Sequence, residues 1–138
     1  MINRIDFRRA VNTTLILLTA IMVFHMLVIA GIIPYTIVWG GKLSNSEEML
    51  RFELASVTIN LLLVVVIMIK AEYIRIPVSG RIITTILWLY FGLFSLNTIG
   101  NLFAEKSLET IIFTPLTFIL ALLIYRIASM RQLLNKQL

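Results

Sequence analysis

Four apolar stretches bounded by charges constrain this chain more than any other feature: Val11 to Ile33, Leu54 to Ile69, Ile82 to Ala104 and Thr110 to Ile127. A helix crosses the hydrocarbon core of a bilayer in about 20 residues, with a range of about 17–25. The first, third and fourth stretches reach that length directly. The second has 16 residues between Glu53 and Lys70, and a snorkelling lysine and an acid facing protein or water lengthen it. Composition agrees, because 59% of the residues are hydrophobic and only 14% charged, whereas a soluble domain carries about 45–50% and about 25%. The expected fold is all-α, an integral membrane four-helix bundle forming one domain over residues 1–138, with spans near 11–33, 53–70, 82–104 and 110–127.

The connections carry start and stop chemistry. Pro34 is expected to end the first helix, Gly40-Gly41 breaks the chain again, and Ser44-Asn45-Ser46-Glu47 has the Ser-x-x-Glu spacing of a capping box opening the second. Ile76-Pro77-Val78-Ser79-Gly80 forms the next connection, and Pro115 falls in the first two turns of the fourth helix, where a missing N–H costs least. The first apolar run exceeds the 7–15 residues of a cleavable signal, so it reads as a retained anchor.

Orientation follows from charge. With alternate helix ends on opposite sides, Arg4, Arg8, Arg9, Lys70, Arg75, Arg81, Arg126, Arg131 and Lys136 share one side, and Lys42, Arg51 and Lys106 the other. That split of 9 against 3 among the 12 basic residues predicts both termini in the cytoplasm by the positive-inside rule, and a multi-pass protein of a bacterial inner membrane. Arg126 to Lys136 reads as a basic, amphipathic extension of the fourth helix, either solvated or lying on an anionic leaflet.

Several chemistries are excluded. The chain has no Cys, which removes thiolate zinc sites, cysteine nucleophiles and iron–sulfur clusters. It has one histidine, His25, and no glycine-rich phosphate loop or nucleophile elbow. No cofactor or metal is expected, and catalysis ranks last among the functions. The net charge of +5 flanks apolar runs and does not interleave with exposed aromatics, so the expected partner is the lipid bilayer and not nucleic acid.

Polar groups inside the hydrocarbon are costly, and each one is a candidate functional group. At a rise of 1.5 Å per residue, His25 lies ~12 Å below the outer end of the first helix, Asn60 ~10 Å below Glu53, and Asn97 ~9 Å below the outer end of the third. Glu53, Ser56 and Asn60 share one face of the second helix, and Tyr90, Asn97 and Asn101 one face of the third. Thr110, Thr114 and Thr117 form a weaker stripe on the fourth. If these faces converge, the outer half holds a polar pocket of one acid, one imidazole and three amides, roofed by the loop Tyr35 to Gly41. Its candidate ligand-binding residues are His25, Tyr35, Trp39, Glu53, Asn60, Asn97 and Asn101. Structural readings stand beside this one. Asparagines and threonines join membrane helices without any ligand. Glu53 could sit hydrated at the interface, paired with Arg51 or Lys106, and Tyr35, Trp39, Trp88 and Tyr125 could form an aromatic belt.

His25 in the first helix, the loop leading into the acid at Phe52-Glu53-Leu54, and Pro115 near the start of the fourth helix resemble the layout of EXPERA proteins, four-helix membrane proteins of the emopamil-binding and sigma-2 type. The resemblance implies a pocket between helices that takes amphipathic amines or sterols, with Glu53, and less directly His25, facing a cationic nitrogen. The second acid that the family carries near its first luminal loop is missing here, where Trp39-Gly40-Gly41 stands instead, which argues against sterol isomerisation. Gly31-Ile32-Ile33-Pro34-Tyr35 with Val38-Trp39-Gly40-Gly41 is also similar to stretches of small bacterial membrane proteins.

Three functions compete at this point. The first is binding of an amphipathic or cationic small molecule, or a lipid, in the outer-half pocket. The second is proton-coupled transport by a homo-oligomer, with a homo-dimer as the smallest form. The third is a role as accessory subunit of a larger membrane complex.

Overall fold

The first helix does not end at its proline. In a computed structural model of the chain, which describes residues 5–103 and 109–130, α1 covers Phe7–Ile29 and stops at Gly31, which takes the left-handed φ of +73°. The Ile32 N–H reaches back to the Leu27 carbonyl at 3.0 Å and the Gly31 N–H to Val28 at 3.0 Å, which satisfies carbonyls that the helix end would otherwise leave open. At the other end Asp6 caps α1, its carboxylate accepting from the Arg9 N–H at 3.2 Å.

After two short 3-10 turns, Tyr35–Ile37 and Trp39–Gly41, α2 runs from Ser46 to Lys70. The cap is one residue later than the Ser-x-x-Glu spacing predicts: Asn45 Oδ1 accepts from the Glu48 N–H at 2.8 Å, and Glu48 Oε2 accepts from the Ser44 N–H at 2.8 Å. An asparagine caps at least as well as a serine, and choosing it moves Glu48, not Glu47, into the position that reaches back. Glu53 therefore lies two turns inside α2 and not at its start. The carboxyl end of α2 repeats the cap of α1 with Glu72 at φ +62° in the glycine's place.

Helix α3 spans Gly80–Leu102, and α4 spans Thr114–Ser129 behind a single π turn at Glu109–Phe113. Pro115 sits in the first turn of α4, where its missing donor leaves no gap in the ladder. The expected spans thus shift by two to seven residues at every end but the last of α2, which stops at Lys70 as expected, because caps set most of the boundaries. Lys106 and the basic extension past Met130 lie outside the described residues.

The helices run up, down, up, down, each packed on its sequence neighbours, with α4 closing against α1. All four are long and apolar enough to cross a membrane, so this is a small four-span integral membrane protein. Ile16, Leu89, Leu96 and Ile111 are 68–69% exposed on its outside, the pattern of a surface solvated by acyl chains. One end is tied by the Tyr73 hydroxyl donating to Asn12 Oδ1 (2.9 Å), the Lys70 ammonium to the Thr84 hydroxyl (3.1 Å) and Arg126 Nε to the Ile5 carbonyl (3.0 Å). A large apolar core, including Leu18, Leu63, Ile67, Leu87, Leu120 and Ile124, fills the half of the bundle next to that end. A smaller one, Val28, Val38 and Met49, seals the loop at the opposite end. The polar residues lie between the two.

A Cβ at Gly31 would meet nothing within 4 Å, so Gly31→Ala tests backbone strain alone. It is expected to lower the unfolding free energy by about 1–2 kcal/mol, read by circular dichroism during unfolding in mixed micelles. Unchanged stability would show that the helix end does not depend on the left-handed residue.

Candidate functional site

Glu53 has no exposed surface, and both its carboxylate oxygens are engaged. Oε2 lies 2.5 Å from His25 Nδ1, and Oε1 accepts from the Trp39 indole N–H at 2.9 Å. A bare carboxylate in low dielectric is strongly disfavoured, and hydrogen-bond donors are what make it tolerable. Three separate elements supply this cluster: α1 brings the imidazole, the loop brings the indole, and α2 brings the acid. With His25 Nδ1 committed to the acid, the second ring nitrogen, Nε2, has no hydrogen-bond partner among the described residues.

Delivery of the indole depends on unusual backbone. Trp39, Gly40 and Gly41 have φ of +55°, +68° and +69°, so three consecutive residues are left-handed. Glycine adopts this freely, whereas a bulky residue does so at a cost of about 1–2 kcal/mol. A hydrogen bond to a charged group contributes about 1.5–3 kcal/mol, enough to hold Trp39 there. Its ring also packs on Phe52, centroids 5.0 Å apart.

The cluster forms one wall of a cavity of about 380 Å³, within the ~300–1,000 Å³ range of small-molecule sites. Six of the seven sequence candidates line it: His25, Trp39, Glu53, Asn60, Asn97 and Asn101. Tyr35 does not; it packs into the small apolar cluster with Val28, Val38 and Met49, because the 3-10 turn directs it onto the loop's own core. The hydrated reading of Glu53 fails because the residue is buried; of its two suggested partners, Arg51 pairs with the exposed Glu47 instead and Lys106 lies outside the described residues. Trp39 donates its indole N–H to Glu53 while its ring stays partly exposed, and Trp88 and Tyr125 pack edge to face, centroids 5.5 Å apart, between α3 and α4.

Asn60 is 7% exposed. Its Nδ2 donates to the Ser56 carbonyl at 2.8 Å, and its Oδ1 is buried without a partner. The assignment of the two amide atoms is forced, because a backbone carbonyl can only accept and the atom facing it must be the nitrogen. Asn60 thus lines the cavity while its Oδ1 is a buried hydrogen-bond acceptor with nothing to accept. Such groups are rare in folded proteins and cost about 1–3 kcal/mol each.

Part of the polar set is structural. The Thr98 hydroxyl donates to the Thr117 hydroxyl at 3.0 Å, and the Thr110 hydroxyl to the Asn101 carbonyl at 3.1 Å, joining α3 to α4 as the threonine stripe suggested. The Tyr90 hydroxyl donates to the Ile59 carbonyl at 2.8 Å, joining α3 to α2. Phe24, Phe113 and Leu116 also line the cavity; sequence reasoning missed them because apolar residues in an apolar span carry no distinguishing pattern. Among the described residues no three His, Cys, Asp or Glu side chains converge on a point that could hold a metal.

Removing one partner of a buried, hydrogen-bonded pair costs about 3–5 kcal/mol, whereas replacing both by apolar residues can be neutral. His25→Leu is expected to destabilise the protein by that amount, and His25→Leu combined with Glu53→Leu to recover most of the loss, measured as a double-mutant cycle on thermal unfolding. Additive effects of the two substitutions would show that the contact carries no energy.

Comparison with protein-family profiles, with curated proteins and with solved structures finds no match to this chain.

Proposed function

We propose that this four-span membrane protein binds an amphipathic small molecule or lipid in the cavity between its helices, with Glu53 as the charged contact and Asn60 as a hydrogen-bond acceptor. The observation that carries this reading is the unfilled Asn60 Oδ1 in the wall of a cavity large enough for a ligand. Thr114 Oγ1 is also buried without a partner, but of the two residues only Asn60 lines the cavity.

The orientation proposed with it places the termini in the cytoplasm and the cavity in the outer half of a bacterial inner membrane. Among the described residues Arg8, Arg9, Lys70, Arg75, Arg81 and Arg126 lie at or beyond one set of helix ends, and Lys42 and Arg51 at the other, as the positive-inside rule requires of that arrangement.

The binding test is thermal stabilisation in nanodiscs by dodecylamine. At a concentration about a hundredfold above its dissociation constant, a ligand adds about 2.7 kcal/mol to the wild type, and Glu53→Gln should lose most of that gain. Equal shifts in both proteins would remove Glu53 from the mechanism.

Orientation is tested separately by single cysteines, which this Cys-free chain allows. Lys42→Cys is expected to react with an impermeant maleimide from outside intact cells, and Arg75→Cys only after the membrane is opened. The reverse pattern would invert the proposed topology.

A further inference from the structure

A second cavity, of about 220 Å³, lies between α1 and the start of α4. Every side chain lining it is apolar, among them Ala20, Ile37 and Ile112, and it shares five of its eight lining residues, including Phe24, Phe113 and Leu116, with the polar cavity. The two therefore adjoin. Phe24 and Phe113 stand in both walls, their rings edge to face with centroids 4.9 Å apart. Ala20 and Ile112 are exposed on the outer, lipid-facing side, so the crevice opens sideways toward acyl chains.

Water does not fill such a space. An apolar cavity of about 150 Å³ stays dry and accepts hydrocarbon, and this one is larger. Beside it, Asn60 Oδ1 can only accept a hydrogen bond, so the group that satisfies it brings an N–H or O–H. A hydrocarbon compartment adjoining a compartment that lacks a donor describes the two ends of one kind of molecule.

Building on the binding function proposed above, we infer that both cavities take a single-chain amphiphile. Its donor-bearing head sits on Asn60 Oδ1 facing Glu53, and its tail passes the Phe24–Phe113 pair into the α1–α4 crevice and on to the bilayer. The route in is lateral, from the membrane, between α1 and α4.

The test uses dodecylamine carrying a diazirine either beside the nitrogen or at the chain end, photolysed with the protein in nanodiscs, with labelled residues mapped by mass spectrometry. Head-end label is expected on the polar cavity and tail-end label around Ala20 and Ile112, both suppressed by unlabelled dodecylamine. Dodecyltrimethylammonium, with the same charge but no N–H, should compete about tenfold less well; equal competition would overturn the donor requirement. Ala20→Trp, or Ile112→Trp if the first fails to fold, should expel the tail label from the crevice and keep the head label, and unchanged tail labelling would overturn the proposed path. Competable head label with tail label scattered over Ile16, Leu89 and Leu96 would overturn the tail site while leaving the binding function intact. Competable tail label without head label would show an acyl chain binding on its own, and no competable label at either end would overturn the binding function itself.

Discussion

A fully buried carboxylate inside a bundle solvated by hydrocarbon must be given donors by the fold, and in this protein the arrangement of the half that carries the Tyr35–Gly41 loop follows from that requirement. Glu53 draws His25 from α1 and Trp39 from the loop, so one side chain fixes the spacing of two helices and the conformation of the segment between them. Without the acid, α1 and α2 would meet at this level through nothing stronger than dispersion, because in a bilayer apolar surface gains little by leaving lipid for protein. Polar contacts are sparse, and each therefore decides more of the geometry than it would in water.

The two apolar clusters give the same account from the other direction. The larger fills one half of the bundle and the smaller seals the loop at the far end, and the space between them is lined by Asn60, Asn97, Asn101 and the Glu53 cluster. Close packing and polar lining alternate along the axis. Between the clusters, Thr98, Thr117 and Thr110 lock α3 to α4, whereas the α1–α4 side at that level is closed by two phenylalanine rings in edge contact. Rings in such contact contribute about 0.5–1.5 kcal/mol beyond their buried area, so this seam is held by packing where the other is held by hydrogen bonds.

Much of this was legible in the residues. Hydropathy located all four spans, and helical spacing set His25, Asn60 and Asn97 near one depth and put Glu53 with Asn60, and Asn97 with Asn101, on common faces, since depth and face follow from helix geometry alone. What escaped the sequence depended on competition between near-equal local choices or on tertiary contact. Gly31 and not Pro34 ends α1, and Asn45 and not Ser44 caps α2, because adjacent residues offered similar chemistry. Trp39 reads as an interfacial aromatic until a left-handed backbone turns its indole inward. Tyr35, four residues earlier, looks equally eligible and ends in the small core instead. No periodicity separates the two.

The left-handed run at Trp39, Gly40 and Gly41 couples the interior to the membrane surface. Trp39 occupies an unfavourable backbone state that its bond to Glu53 Oε1 helps to offset. The inner surface of the chamber and the shape of its mouth thus hang on a single carboxylate oxygen, and neither can be altered without the other.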